Sequence, residues 1–166
     1  GELPELFEIV LEDIPVELYS QEGGGPSYAV RAIYTALTLF ALHQQGKGFQ
    51  PMSVGGMVEG KKTGNSLGTA VGYLTVKEPD HKLAIKRRFD AAVTANEFTE
   101  FAYHARGLIQ LLRAADITLD YPRFAEELYW YQFDEIRNRI RLRWGEDYYR
   151  IIQTNTKKEN GGISNE

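Results

Sequence analysis

The sequence predicts an all-α fold, and three observations carry that reading. Apolar residues recur at i, i+3, i+4 and i+7 in one segment after another. Ser, Asp or Asn stands in front of these segments, where a helix N-cap belongs. No stretch shows the period-two alternation of a half-buried strand, and there is no internal repeat. The 166 residues, 43% hydrophobic and 25% charged, are enough for a real core. That core is expected as a compact bundle of about six to eight helices or as two small helical lobes. A composition this close to the globular average excludes disordered, collagen-like and low-complexity classes. The lack of cysteine excludes a disulfide framework, a thiolate metal site and a cysteine nucleophile.

Taken in order, residues 1–26 read as an acidic arm or linker. Two short apolar turns break at Pro15, and Gly23-Gly24-Gly25 with Pro26 ends the arm. Ser27 then caps a helix over residues 28–45, with Ala29, Ile33, Ala36, Leu37 and Phe40 on one face and Gly46 as the stop. Because nearly every position from Ala32 to Leu42 is apolar, this helix is expected to be central and buried. Residues 46–65 hold six glycines and no periodicity, which predicts a long mobile loop bearing Lys47, Lys61 and Lys62. Ser66 reopens helix, with Leu67, Ala70, Val71 and Leu74 in register.

Asp80 is placed as the cap of a helix reaching about Ala95, with Ile85, Phe89, Ala92 and Val93 inward and Lys86-Arg87-Arg88 alongside. Asn96 is placed as the cap of the clearest helix, striped by Phe98, Phe101, Ala102, Ala105, Leu108, Ile109 and Leu112. Asp120, with Pro122 in the first turn, starts the next helix, through Tyr131. The last runs from Asp134 to about Gln153, and residues 154–166 are expected as a frayed, disordered polar tail. The helical domain therefore spans 27–153. No apolar run approaches the roughly 20 residues of a membrane span, and no signal peptide is read. Opening on Gly1 rather than Met, the chain reads as starting at a cloning remnant or a cut boundary.

A net charge of −4 argues against a nucleic-acid partner until it is divided along the chain. Residues 1–22 carry seven acids and no base, whereas residues 23–158 carry 19 bases against 14 acids. An asymmetry of that kind points to a polyanion partner or to a mixed solvated surface beside an acidic tail.

Catalytic signatures are weak. Gly55 followed by Gly60-Lys61 has the G-x-x-x-x-G-K spacing of a phosphate loop, but Lys62 stands where Ser or Thr should hold magnesium and no strand leads in. The E-x-x-H from Glu78 to His81 is interrupted by Pro79, and His43 and His104 read as structural or surface residues. Neither a nucleophile elbow nor a carboxylate pair stands out, so no enzyme, metal or cofactor is expected. The last helix is more informative. Ile136, Ile140, Trp144 and Ile151 share a face flanked by Arg137 and Arg141 on one side and by Arg139, Arg143 and Arg150 on the other. Such stems either snorkel over a core edge or grip phosphates and acidic partners. Arg106 and Arg113, one i, i+7 step apart, join Arg87 and Arg88 as a candidate band on adjacent helices. The aromatics from Leu128 to Phe133 form either a stacking platform or core packing.

Five strings in order resemble one family: "TALTLFALHQQG" (35–46), "SLG" (66–68), "RRF" (87–89), "LDYPRFAEELYWYQ" (119–132) and "RLRWGEDYYR" (141–150). They are similar to the CasB family, the small subunit of Cascade, the type I-E CRISPR surveillance complex, over roughly residues 27–150. The resemblance implies a non-catalytic, all-helical subunit of the bacterial cytoplasm without a cofactor. It implies contacts to the large subunit, to the repeated backbone subunits and to a second copy of itself. It also implies basic surfaces that track the crRNA–target DNA hybrid and the displaced DNA strand. Lys86, Arg87, Arg88 and Arg106 match positions where the family carries basic residues. Lys61 and Lys62 match no fixed motif, and the start departs from a family that generally has more arginine-bearing helix upstream. The nucleic-acid contacts are thus expected among Lys61, Lys62, Lys86, Arg87, Arg88, Arg106, Arg113, Arg137 and Arg141. A purely structural protein–protein clamp is the alternative.

Overall fold

The computed structural model describes residues 11–20 and 25–161, so the expected acidic arm and the expected tail lie partly outside the described residues. The regular structure of the described part is helical apart from one hairpin of two two-residue strands and a single Ser53–Leu119 bridge. In the arm, Pro15 opens a 3-10 turn, Val16–Leu18, and Ile14 is buried against Val30.

Helix α1, Tyr28–Gln44, starts where Ser27 Oγ accepts the Val30 N–H at 3.1 Å, as its sequence requires. Its buried face differs from the expected one. Val30, Ala32, Ala36, Leu39 and His43 point inward, while Leu37 is 44% exposed. A helix apolar nearly all round has no periodic signal to choose its inner face, so packing chooses it.

The segment 46–65 is better anchored than its glycines suggested. The Val54 N–H donates to the Leu119 carbonyl at 3.1 Å, the Leu119 N–H donates to the Met52 carbonyl at 3.0 Å, and Met52 is fully buried. Between these ties, strands β1 (Met57–Val58) and β2 (Lys61–Lys62) pair antiparallel, Met57 opposite Lys62 and Val58 opposite Lys61. Glu59 and Gly60 both take positive φ, 49° and 74°, which closes the two-residue turn. The phosphate-loop-like spacing therefore folds as a hairpin tip.

Helix α2, Leu67–Lys77, is capped by Ser66, whose Oγ accepts the Thr69 N–H at 3.2 Å. Two cap assignments change after it. Asp80 lies inside a 3-10 turn, Pro79–His81, and α3, Lys82–Thr94, begins after it with no side-chain cap. Proline's fixed φ suits that tight first turn, which displaces the helix start. Helix α4, Phe98–Ala114, has Glu97 at its N-cap position; the Asn96 N–H instead donates to Glu100 Oε2 at 3.2 Å. Helix α5, Tyr121–Tyr131, starts as expected, with Asp120 Oδ1 accepting the Arg123 N–H at 3.1 Å. Helix α6 spans Asp134–Gly161 and so continues through residues expected to fray. No Gly or Pro interrupts it between Gly145 and Gly161, so the backbone hydrogen bonds run on unbroken.

One core cluster draws on all six helices and fits the bundle better than two lobes. At its centre Phe101 (α4), Tyr131 (α5) and Trp144 (α6) stack, with Phe101 and Tyr131 5.4 and 5.7 Å from the Trp144 ring. Burying each ring contributes on the order of 2–3 kcal/mol. Helices α2 and α6 touch backbone to backbone: a Cβ at Gly68 would overlap the Trp144 carbonyl. The α4 stripe is buried as its periodicity predicts, with Phe101, Ala105, Leu108, Ile109 and Leu112 at 0% exposure. Its opposite side faces solvent beside α3.

Candidate nucleic-acid interface

The buried charges come first, because they show which polar residues the fold consumes. Asp147, on the inner side of α6, accepts from Ser66 Oγ at 2.6 Å, from Arg150 at 2.9 Å and from Arg123 at 3.5 Å. Arg123 also donates to Glu127 Oε1 at 3.0 Å, and Trp144 Nε1 donates to Glu127 Oε2 at 2.8 Å. Burial pushes the Glu127 carboxyl above its ordinary range, against the hydrogen bonds from Trp144 and Arg123 that favour the charged form. Three of the recognised strings, those holding Ser66, Arg123 to Glu127, and Trp144 to Arg150, therefore meet inside the molecule. The sequence reading missed this network, although Ser66 and Asp120 before helical stripes were visible as caps.

The nine candidate cations separate into three groups: three arginines bound to the chain's own carbonyls, two lysines paired with carboxylates, and four cations with no carboxylate partner among the described residues. Arg113, Arg137 and Arg141 are bound to the protein's own chain. Arg113 Nη1 donates to the Leu42 carbonyl at 3.3 Å and to Gln45 Oε1 at 2.9 Å, closing the C-terminus of α1. Arg137 donates to the Tyr131 and Asn96 carbonyls at 2.9 and 3.0 Å and pairs with Asp134 at 2.8 Å. Arg141 donates to the Ala95 carbonyl and lies over the Tyr131 ring, 5.7 Å from its centroid. Lys62 pairs with Glu126 at 2.6 Å, and Lys61 is exposed on the other face of the hairpin.

The run Lys86-Arg87-Arg88 points three ways, as successive helical residues must at about 100° per step. Lys86 turns toward α6, pairing with Asp90 at 2.5 Å with Tyr148 and Tyr149 alongside. Burial alone would lower its pKa, but the hydrogen bond and charge of Asp90 outweigh it and hold Lys86 above the usual lysine value. Arg87 faces solvent. Arg88 leans over α4, where a Cβ on Gly107 would stand 3.3 Å from its Nη1, so the missing side chain leaves room for the guanidinium.

Arg88 and Arg106 meet there in a cleft of about 270 Å³ lined also by Tyr103, His104, Gly107 and Gln110. Neither arginine, nor Arg87, pairs with a carboxylate among the described residues. The nearby acids are engaged elsewhere, Asp90 by Lys86 and Glu100 by the Asn96 N–H. Glu78 lines the neighbouring pocket on the other side of Arg88 but makes no ion pair with it, so the α3–α4 face carries planar donors without a paired carboxylate, the arrangement that grips phosphate oxygens.

His43 is fully buried, with Nδ1 3.1 Å from the Tyr121 hydroxyl. Burial, with Lys47 and Arg113 nearby, lowers its pKa to about 4 and keeps it neutral. His81 lies at the surface 3.9 Å from Glu78. Among the described residues, no group of three metal-capable side chains gathers, and no helix is long and apolar enough to cross a membrane.

Fold and surface together define a helical-bundle protein whose buried charges brace the fold and which places two arginines without carboxylate partners, Arg88 and Arg106, in one surface cleft. The chain belongs to the CRISPR-associated Cse2 family, whose model matches residues 1–149. This is the CasB family of small Cascade subunits that the five strings resemble. The fold is shared with the crystal structure of CasB from Thermobifida fusca, at a TM-score of 0.63 and 22% identity over 87% of this chain and 83% of that one. No curated protein sequence matches the chain.

Proposed function

We propose that this chain is a non-catalytic small subunit of a type I-E Cascade complex in the cytoplasm. It stabilises the R-loop by sequence-independent contacts to the phosphates of the crRNA–target hybrid and displaced strand. The observation that carries the reading is the α3–α4 face. Arg88 and Arg106 line one cleft there, Arg87 is exposed on another side of α3, and none of the three pairs with a carboxylate among the described residues. Guanidinium groups aimed at a backbone give affinity without base readout, and that affinity falls with salt through counterion release. Lys61 stands as a further contact on the hairpin, whereas Arg113, Arg137 and Arg141 hold the bundle together.

The test is target-DNA binding by a reconstituted Cascade carrying Arg87→Ala, Arg88→Ala and Arg106→Ala. Affinity falls, and the slope of log K against log salt drops by up to about three, near one per lost duplex phosphate contact. An unchanged slope gives the role to a protein–protein clamp instead.

A further inference from the structure

The α3–α4 cleft holds one residue that phosphate binding does not require. Tyr103 projects from the outer side of α4 and is 75% exposed, one turn before Arg106 and Gly107 and two before Gln110. A lone exposed aromatic needs no explanation in itself. Its surroundings give it one: two arginines without carboxylate partners share the same cleft, and His104 meets its ring edge-on at 5.4 Å and 72°.

We propose that this cleft binds a single nucleic-acid strand by stacking an unpaired base on Tyr103 while Arg88 and Arg106 hold the adjoining phosphates. The proposal rests on the phosphate-contact reading above and adds to it a base contact and the residue that makes it. Paired bases stack on one another and offer no free face, whereas an unpaired strand presents one at every nucleotide. Aromatic beside arginine is the chemistry that binds such strands without reading their sequence. Gly107 keeps the cleft floor low enough for the Arg88 guanidinium to lie against α4, and Gln110 offers both a donor and an acceptor at its far end.

The test measures binding of the full chain to three labelled probes by fluorescence anisotropy. They are an oligo(dT), an oligomer of equal length built from abasic sites, and a duplex of equal length. The first two carry the same phosphates, so only the bases differ. The wild-type chain is expected to prefer oligo(dT) over the abasic oligomer by roughly tenfold, the scale of one stacked base. Tyr103→Leu abolishes that preference and leaves the salt slope on the abasic oligomer unchanged, whereas Tyr103→Phe keeps it. Equal wild-type affinities for the two oligomers, or a preference that survives Tyr103→Leu, overturn the stacking role and leave the phosphate contacts standing. Binding to none of the three at low salt overturns both.

Discussion

The Ser66 hydroxyl donates to the Asp147 carboxylate at 2.6 Å, joining the first turn of α2 to the inner side of α6 across 81 residues of chain. The same oxygen accepts the Thr69 N–H, so one hydroxyl starts a helix and satisfies a buried acid. Ser66→Ala should therefore cost more than the loss of a cap. About 1 kcal/mol goes with the cap and about 1–3 more with the under-satisfied carboxylate. Ser27→Ala, at a cap whose hydroxyl donates only at the exposed surface, should cost about 1 kcal/mol alone. Arg123→Ala should exceed both at about 3–5 kcal/mol, because it leaves Glu127 and Asp147 without their shared cation. Urea unfolding of the three variants checks the order.

Backbone contact between α2 and α6 makes Gly68 the least replaceable glycine of the bundle. A methyl there must push the Trp144 carbonyl away and so opens the aromatic stack around Trp144. Gly68→Ala is expected to destabilise by about 2–4 kcal/mol or to abolish folding, in line with other overpacked cores. Gly145→Ala, in the middle of α6 with nothing within 4 Å, should instead stabilise by about 0.5–1 kcal/mol through helix propensity. Thermal melting of the pair separates packing from propensity.

Much of the fold was legible because its signals are local. Ser27, Ser66 and Asp120 cap helices where they stand, and the α4 stripe matches its buried face because polar residues bound it on the other side. Where composition is uniform the signal fails. Apolar positions nearly encircle α1, so its rotation is set by packing on α4 and α5. The polar end of α6 shows no stripe yet stays helical on hydrogen bonds that depend only on unbroken backbone. The site was half legible for a related reason. A run of three bases shows that cations are present, but not that Lys86 turns to Asp90 while Arg88 crosses to Gly107. Tertiary neighbours also decide whether an arginine meets solvent or a helix-terminal carbonyl, as Arg113, Arg137 and Arg141 do.

Stability should depend on pH through His43. Its folded pKa is lowered from 6.5 to about 4 by burial, so between those values the unfolded chain binds a proton that the folded one refuses. The contribution is fully present above pH 6.5 and is lost as pH falls toward 4, by about 3 kcal/mol at the limit. His43→Asn cannot titrate and keeps a polar partner for the Tyr121 hydroxyl. Guanidinium unfolding free energies at intervals between pH 4 and 7 should fall less steeply in the variant. Equal slopes would show that His43 opens to water.

Arg137 and Arg141 close the connection between α3 and α4 onto the start of α6. Arg137 reaches the Asn96 and Tyr131 carbonyls, Arg141 reaches the Ala95 carbonyl, and both guanidinium groups lie over the Tyr131 ring. Each replacement by Ala should lower stability by about 1–3 kcal/mol, since partly buried carbonyls lose a charged donor and the ring loses a cation. Lysine should rescue Arg137 poorly, because one ammonium cannot span the carbonyls and Asp134 together as the guanidinium fork does. The same Ala variants should leave the salt slope of nucleic-acid binding as it is, opposite to Arg88→Ala and Arg106→Ala, which should lower the slope with little change in unfolding free energy. Measuring both quantities on all four variants sorts the arginines by what they do. A loss of salt slope at Arg137 or Arg141 without loss of stability would move the interface to α6.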